Sequence, residues 1–84
     1  MDFGKALEMV KQGYRVARKG WNGKGMYVFL VKGIELQNVI RYNHPDVEEK
    51  PCADVLALKA TTTIQVGWLA SQTDMLAEDW EVIQ

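Results

Sequence analysis

The six residues MYVFLV, at positions 26–31, form the longest uninterrupted apolar run of the chain. The run has the length of one strand, and it is far shorter than the roughly 20 residues of a membrane-spanning helix. Because its apolar side chains fall on both faces, it predicts a central strand. Such a strand is covered on two sides, or its second face meets another subunit.

The residues before this run predict a helix and a strand. One apolar stripe has the helical spacing i, i+3, i+4, i+7, at Phe3, Ala6, Leu7 and Val10. Asp2 is a suitable N-cap, and Gly13 is a suitable stop because glycine adopts positive φ without steric cost. Residues 14–18 alternate weakly, as expected of a short strand.

The residues after the run predict further strands and one helical turn. Strands are predicted at 56–60, 61–68 and 80–83. Residues 34–40 fit a strand or a short helix, whereas 43–51 is the most loop-like stretch. Ser71 to Asp74 predict the cap of a turn at 75–77. The order predicts one α+β domain over residues 1–84, with the N-terminal helix on an antiparallel sheet and a short helical turn before the last strand.

The size and composition of the chain favour a homo-oligomer. A chain of 84 residues buries only about 60–65% of its extended-chain surface. One cysteine, Cys52, and one histidine, His44, exclude an internal disulfide and a structural zinc site. Eight aromatic side chains then need cover, which a second subunit supplies most simply. The first residues lack the pattern of a signal peptide, so we expect a cytosolic protein without a membrane partner.

Charge is distributed unevenly between the two halves. Eight bases and three acids give residues 1–41 a charge of +5, while two bases and eight acids give residues 42–84 a charge of −6. Residues 15–24 hold four bases and no acid. This pattern disfavours binding of long nucleic acids but allows a small phosphorylated ligand.

Two segments are candidates for ligand binding. In the first, RKGWNGKGMY at 18–27, glycine amides and cations can hold phosphate, and an indole can stack on a purine. The second, Trp68 with residues 71–74, places an indole beside hydroxyl, amide and carboxylate groups. Local features alone favour structural roles for both, a hairpin loop and a capped turn, each with a core tryptophan. The candidates are Arg18, Trp21, Asn22, Gly23, Lys24 and Met26 in the first segment, and Trp68, Ser71, Gln72, Thr73 and Asp74 in the second.

Catalytic and metal chemistry are poorly supported. His44 lies alone in an acidic loop, and Cys52 has no base near it in the sequence. Asp74, Glu78 and Asp79 fit helix capping and solvation better than metal binding. The glycines at 20–25 match neither a Walker loop nor a dinucleotide fingerprint. We therefore predict no enzyme activity, no metal and no cofactor.

Taken together, the two ends of the chain resemble the small phage and prophage proteins of the Thoeris anti-defence 2 family. The resemblance rests on FGKALEMVKQGYRVARKGWNGKGMYVFL at 3–30 and on WLASQTDMLAEDWEV at 68–82. It covers about half of the chain and adds nothing for residues 33–60.

The resemblance implies a non-enzymatic sponge in the cytoplasm of the infected bacterium. Members of the family bind a glycocyclic ADP-ribose that TIR-domain proteins make, and so keep it from the defence effector. Some also bind cyclic dinucleotides at separate sites. They form homo-oligomers, commonly tetramers, with pockets at subunit boundaries; a dimer is also compatible with this sequence. The resemblance also implies that Trp21 stacks the base, that Arg18, Lys24 and the amides of 22, 23 and 25 hold phosphate, and that residues 71–74 bind ribose or the adenine edge.

Two other functions stay open on the sequence alone. A protein–protein interaction module that inhibits a host protein would use the acidic stretch 43–54 and unpaired strand edges. A nucleotide hydrolase is disfavoured because no base, nucleophile or metal set converges.

Overall fold

A computed structural model of the chain describes residues 1–21 and 25–83. The elements, in chain order, are α1 (Phe3–Lys11), β1 (Arg15–Arg18), β2 (Tyr27–Val31), α2 (Gly33–Asn43), β3 (Val55–Lys59), β4 (Ile64–Val66), α3 (Gln72–Leu76) and β5 (Trp80–Ile83). The strands form one antiparallel sheet in the order β4-β3-β2-β1-β5. The predicted α+β class is confirmed.

Both predicted ends of α1 are confirmed. The Asp2 carboxylate accepts a hydrogen bond from the Lys5 amide at 2.8 Å, which satisfies one of the free N–H groups of the first turn. Gly13 has φ +96° directly after the helix, in the region that favours glycine.

The core lies between α1 and one face of the sheet. Ala6 and Val10 of α1 pack with Val16, Val28 and Trp80 of three strands, and all five side chains are buried. The first strand, β1, pairs antiparallel with the last strand, β5, and Arg18 lies opposite Trp80 in their register. This pairing places the end of β1 beside the start of β5.

The MYVFLV segment supplies β2, the middle strand of the sheet. Val28 is buried on the α1 side, whereas Tyr27, Phe29 and Val31 alternate to the opposite face and remain half-buried. The prediction that a second subunit covers this face stays a prediction.

Residues 34–40 belong to a helix, which settles the alternative that the sequence left open. Helix α2 runs from Gly33 to Asn43, and the Gly33 amide donates to Asp54 Oδ1 at 2.7 Å. A side chain on Gly33 would overlap the backbone carbonyl of Cys52, so the position requires glycine. Glu49 accepts a hydrogen bond from Gln37 and forms a salt bridge with Arg41. These two contacts hold the 45–52 loop against the helix.

The strand predicted at 61–68 is shorter than expected. β4 covers only Ile64–Val66, because residues 61–63 make the turn that follows β3, closed by a hydrogen bond from the Ala60 amide to the Thr63 carbonyl at 2.8 Å. Gly67, at φ +83°, ends the strand before Trp68. Among the helices of the described residues, none is long and apolar enough to cross a membrane.

Candidate functional site

Three tryptophans from distant parts of the sequence meet where β1 ends and β5 begins. Trp80 is only 1% exposed and forms the base of the cluster. Trp21 packs edge-on against it with ring centroids 5.3 Å apart, and Trp68 lies 6.2 Å from Trp21 and 6.4 Å from Trp80. Trp21 and Trp68 are partly buried, so each keeps some surface open to solvent. The two segments singled out in the sequence thus share one site.

Arg18 joins the two segments through an ion-pair network. Its Nε donates to Asp79 Oδ1 and its Nη1 donates to Asp74 Oδ1, both at 2.9 Å. The hydrogen bonds to Asp79 and to Asp74 raise the pKa of Arg18 above its ordinary value. Since the Arg18 and Asp74 side chains are only 20% and 16% exposed, this pair is better shielded from water than an ordinary surface ion pair.

Asp74 takes part in the cap of α3, as the sequence predicts. The helix itself runs from Gln72 to Leu76 and so begins earlier than the turn predicted at 75–77, because Ser71 alone is the N-cap residue. Ser71 Oγ accepts from the Asp74 amide at 3.1 Å, and Asp74 Oδ2 accepts from the Ser71 amide at 3.4 Å, which together make a capping box. Burial alone would raise the pKa of Asp74, but hydrogen bonds from Arg18 and Ser71 outweigh it, so that the pKa lies below its usual value.

The backbone of α3 also contacts the tryptophan cluster. The Trp80 indole N–H donates to the Asp74 carbonyl at 2.9 Å, which ties the buried ring to the first turn of the helix. The carboxylate of Asp74 faces Arg18, while the neighbouring Gln72 and Thr73 are exposed. The exposed amide and hydroxyl groups of Gln72 and Thr73 therefore belong to the same helical turn that bonds to the Trp80 ring.

Asp79 is the member of the site that the sequence did not assign to it. Its Oδ1 accepts from Arg18, and its Oδ2 accepts from the Gly20 amide at 3.3 Å. The hydrogen bond from Arg18 is the main reason that the pKa of Asp79 lies below its usual value. The only signal in the sequence is an acidic residue directly before the last strand. The partner of that residue depends on the β1–β5 register, which a local pattern does not contain.

Of the remaining residues that the sequence predicts to bind ligand, the structure describes Met26 only. Met26 is half-buried and lies directly before β2, next to Gly25 with its positive φ of +81°. Asn22, Gly23 and Lys24 lie outside the described residues. The structure therefore brings together Arg18, Trp21, Trp68 and the first turn of α3.

The acidic residues near α3 act as acceptors for Arg18 and for backbone amides. Asp74 takes part in the cap of α3, as the sequence predicts, whereas Asp79 accepts from Arg18 and the Gly20 amide and caps no helix. Within residues 1–21 and 25–83, no group of three or more His, Cys, Asp or Glu side chains is placed to hold a metal ion.

A separate cavity of about 530 Å³ lies between α2 and the 45–52 loop. Ile40, Val47 and Cys52 form part of its apolar wall, and Arg41 and Glu49 form part of its charged wall. None of the ligand-binding residues predicted from the sequence lines it, so it does not extend the tryptophan site.

Comparison with known proteins gives the family of this small α+β domain. The Thoeris anti-defense 2-like domain matches residues 1–83. Thoeris anti-defense 2 of Bacillus phage SP01 is 38% identical over 84 residues, which cover 99% of this chain and 94% of that protein. The chain belongs to the Thoeris anti-defense 2-like family, which confirms the resemblance carried by the two end motifs. Membership supports a phage anti-defence role against Thoeris.

Proposed function

We propose that this protein acts as a sponge, which binds a glycocyclic ADP-ribose signal without degrading it and thereby blocks Thoeris immunity. The observation that carries the proposal is the meeting of the two predicted segments. Trp21 and Trp68 lie with ring centroids 6.2 Å apart, and Arg18 bonds to Asp74 at the first turn of α3. A single bound molecule can contact both segments only because they are adjacent.

The chemistry of the site suits a nucleotide with a base, ribose and pyrophosphate. The partly open indole rings supply stacking surfaces for the adenine, worth roughly 1–3 kcal/mol per base. The exposed side chains of Ser71, Gln72 and Thr73 offer hydroxyl and amide groups to ribose hydroxyls or to the adenine edge.

The phosphates require positive charge that the carboxylates do not already neutralise. Arg18 is bonded to two carboxylates, and these three groups together carry a charge of −1. Its direct contribution to a bound phosphate is therefore reduced. Lys24 and the amides of its glycine-rich loop, predicted from the sequence, are left as the main phosphate ligands in this proposal.

Homo-oligomerisation is part of the proposal. Tyr27, Phe29 and Val31 face away from α1 and are only half-buried in one chain. A second copy packed on this face would cover them and would meet the size argument made from the sequence. We propose a tetramer or a dimer that acts in the cytoplasm of the infected bacterium and that can also take up cyclic dinucleotides.

The test is calorimetric titration with glycocyclic ADP-ribose, followed by heat denaturation and analysis of the released ligand. Intact release supports the sponge, whereas an altered product indicates an enzyme. Trp21→Ala should weaken binding by roughly 1–3 kcal/mol, about 5- to 150-fold, through loss of stacking. Tyr42→Ala is the matched control, since this aromatic side chain is 87% exposed on α2. Lys24→Ala should weaken binding more at low salt than at high salt.

A second candidate function, docking on a host protein, is favoured by the surface of α2. Ile34, Val39 and Tyr42 are exposed there, beside the acidic 43–54 segment. If the wild-type protein takes up no cyclic nucleotide but loses anti-defence activity on substitution of these residues, the interaction module is the correct function.

A further inference from the structure

Asp79 contacts three consecutive residues at the end of β1. Its carboxylate accepts from Arg18 Nε at 2.9 Å and from the Gly20 amide at 3.3 Å, and its backbone carbonyl accepts from the Lys19 amide at 3.1 Å. Both carboxylate oxygens are therefore occupied. A Cβ on Gly20 would lie 3.5 Å from Asp79 Oδ2, so the loop passes directly over this side chain.

Trp21 is the next residue along this anchored segment. Its amide donates to the Arg18 carbonyl at 3.2 Å in a turn, and its ring packs against those of Trp68 and Trp80. The segment has left the sheet at this point, and strand pairing no longer determines its path. Among the described residues, the long-range hydrogen bonds of residues 19–21 all go to Asp79.

We propose that Asp79 is a positioning residue, which holds Trp21 in place through Arg18 and the Gly20 amide and does not itself contact the ligand. The inference rests on the proposed function, because the position of Trp21 affects binding only if the tryptophan site takes the ligand. It adds a residue that lies outside both segments singled out in the sequence.

The negative charge of Asp79 argues for a positioning role and against direct contact with the ligand. An ionised carboxylate beside a pyrophosphate would repel it. The Asp79 oxygens are instead directed to Arg18 and to the Gly20 amide. Because Arg18 is shared with Asp74, the three groups keep a charge of −1, which disfavours a phosphate bound directly at Asp79. Asp74 shares Arg18 but is also held by the cap of α3, which makes Asp79 the cleaner position to test.

The first experiment needs no ligand and uses Asp79→Asn. Asparagine replaces one acceptor oxygen with an NH₂ donor, so either Arg18 Nε or the Gly20 amide loses its acceptor. We expect the near-ultraviolet circular dichroism that depends on Trp21 to be lost, and acrylamide quenching of tryptophan fluorescence to increase. Both changes should be absent in a Trp21→Phe background. Glu78→Gln is the matched control, since its side chain makes no hydrogen bond within the described residues.

The second experiment measures affinity for glycocyclic ADP-ribose. Asp79→Asn should bind about 3- to 10-fold more weakly, because Trp21 must then be ordered on binding. In a Trp21→Ala background the same substitution should leave affinity unchanged, whereas a general structural defect would lower it in both backgrounds. Urea denaturation identifies the fraction of each variant that is folded.

The outcomes separate this proposal from the proposed function. Equal losses of affinity in both backgrounds, or a Trp21 signal that Asp79→Asn leaves intact, overturn the positioning role. A wild-type protein that binds no cyclic nucleotide overturns the sponge, while the spectroscopic experiment still decides whether Asp79 holds Trp21.

Discussion

Replacement of Trp80 should destabilise the protein more than any other single substitution in the tryptophan cluster. The ring is 1% exposed, contacts Phe3 at 5.4 Å and Trp21 at 5.3 Å between ring centroids, and donates its indole N–H to the Asp74 carbonyl. Loss of a buried tryptophan to alanine costs about 3–5 kcal/mol, and the lost hydrogen bond costs about a further 1 kcal/mol. A domain of 84 residues has only about 4–13 kcal/mol of stability in total.

We therefore expect Trp80→Ala to be largely unfolded. Trp80→Phe is the variant whose free energy of unfolding and affinity can both be measured. Phenylalanine keeps much of the ring volume but cannot bond to the Asp74 carbonyl, and we expect a loss of about 1–2 kcal/mol. Urea denaturation followed by far-ultraviolet circular dichroism measures the free energy of unfolding. Where Trp80→Phe is folded, its affinity for glycocyclic ADP-ribose should change less than that of Trp21→Ala. An unchanged unfolding free energy for Trp80→Ala would refute the assignment of this ring to the core. A stable Trp80→Phe that binds more weakly than Trp21→Ala would move the stacking site to Trp80.

Four further predictions concern stability, dispensable residues and assembly. The two carboxylates bound to Arg18 have lowered pKa values, so their contribution to stability is complete above their ordinary value of 3.8 and declines as the pH falls through the lowered values. Arg18→Gln should make the acid unfolding curve shallower, and a curve as steep as that of the wild type would argue against this network. Gly33→Ala should lose about 1–3 kcal/mol in urea denaturation, because its Cβ would overlap the Cys52 carbonyl; full stability would contradict that contact. Combined replacement of His44 and Cys52 by alanine should leave ligand uptake unchanged in titration, and loss of uptake by a folded double variant would revive the enzyme hypothesis. The wild type should sediment as an oligomer at micromolar concentration and Phe29→Glu as a smaller species, whereas a wild-type monomer of 9.5 kDa would contradict assembly.

The features that local sequence predicted are those that depend on residues a few positions apart. Asp2 and Gly13 bound α1, and Ser71 caps α3, because a cap requires only a side chain or a positive φ beside a helix end. The apolar run at 26–31 becomes the middle strand, since its pattern already excludes an exposed edge. The strand predicted at 80–83 is present as β5, and its first residue, Trp80, is buried in the core.

The features that only the tertiary structure decided depend on residues far apart in the chain. Residues 34–40 become helical where the 45–52 loop packs against them and where the Gly33 amide finds the Asp54 carboxylate, 21 residues away. Likewise, Asp79 bonds to Arg18 across 61 residues because the β1–β5 register aligns their strands. By itself, the sequence determined both ends of α1, the capping residue of α3 and the middle strand, and it singled out two candidate ligand-binding segments. Tertiary structure decided that these segments share one tryptophan cluster, because strand register and side-chain packing depend on the arrangement of the whole chain.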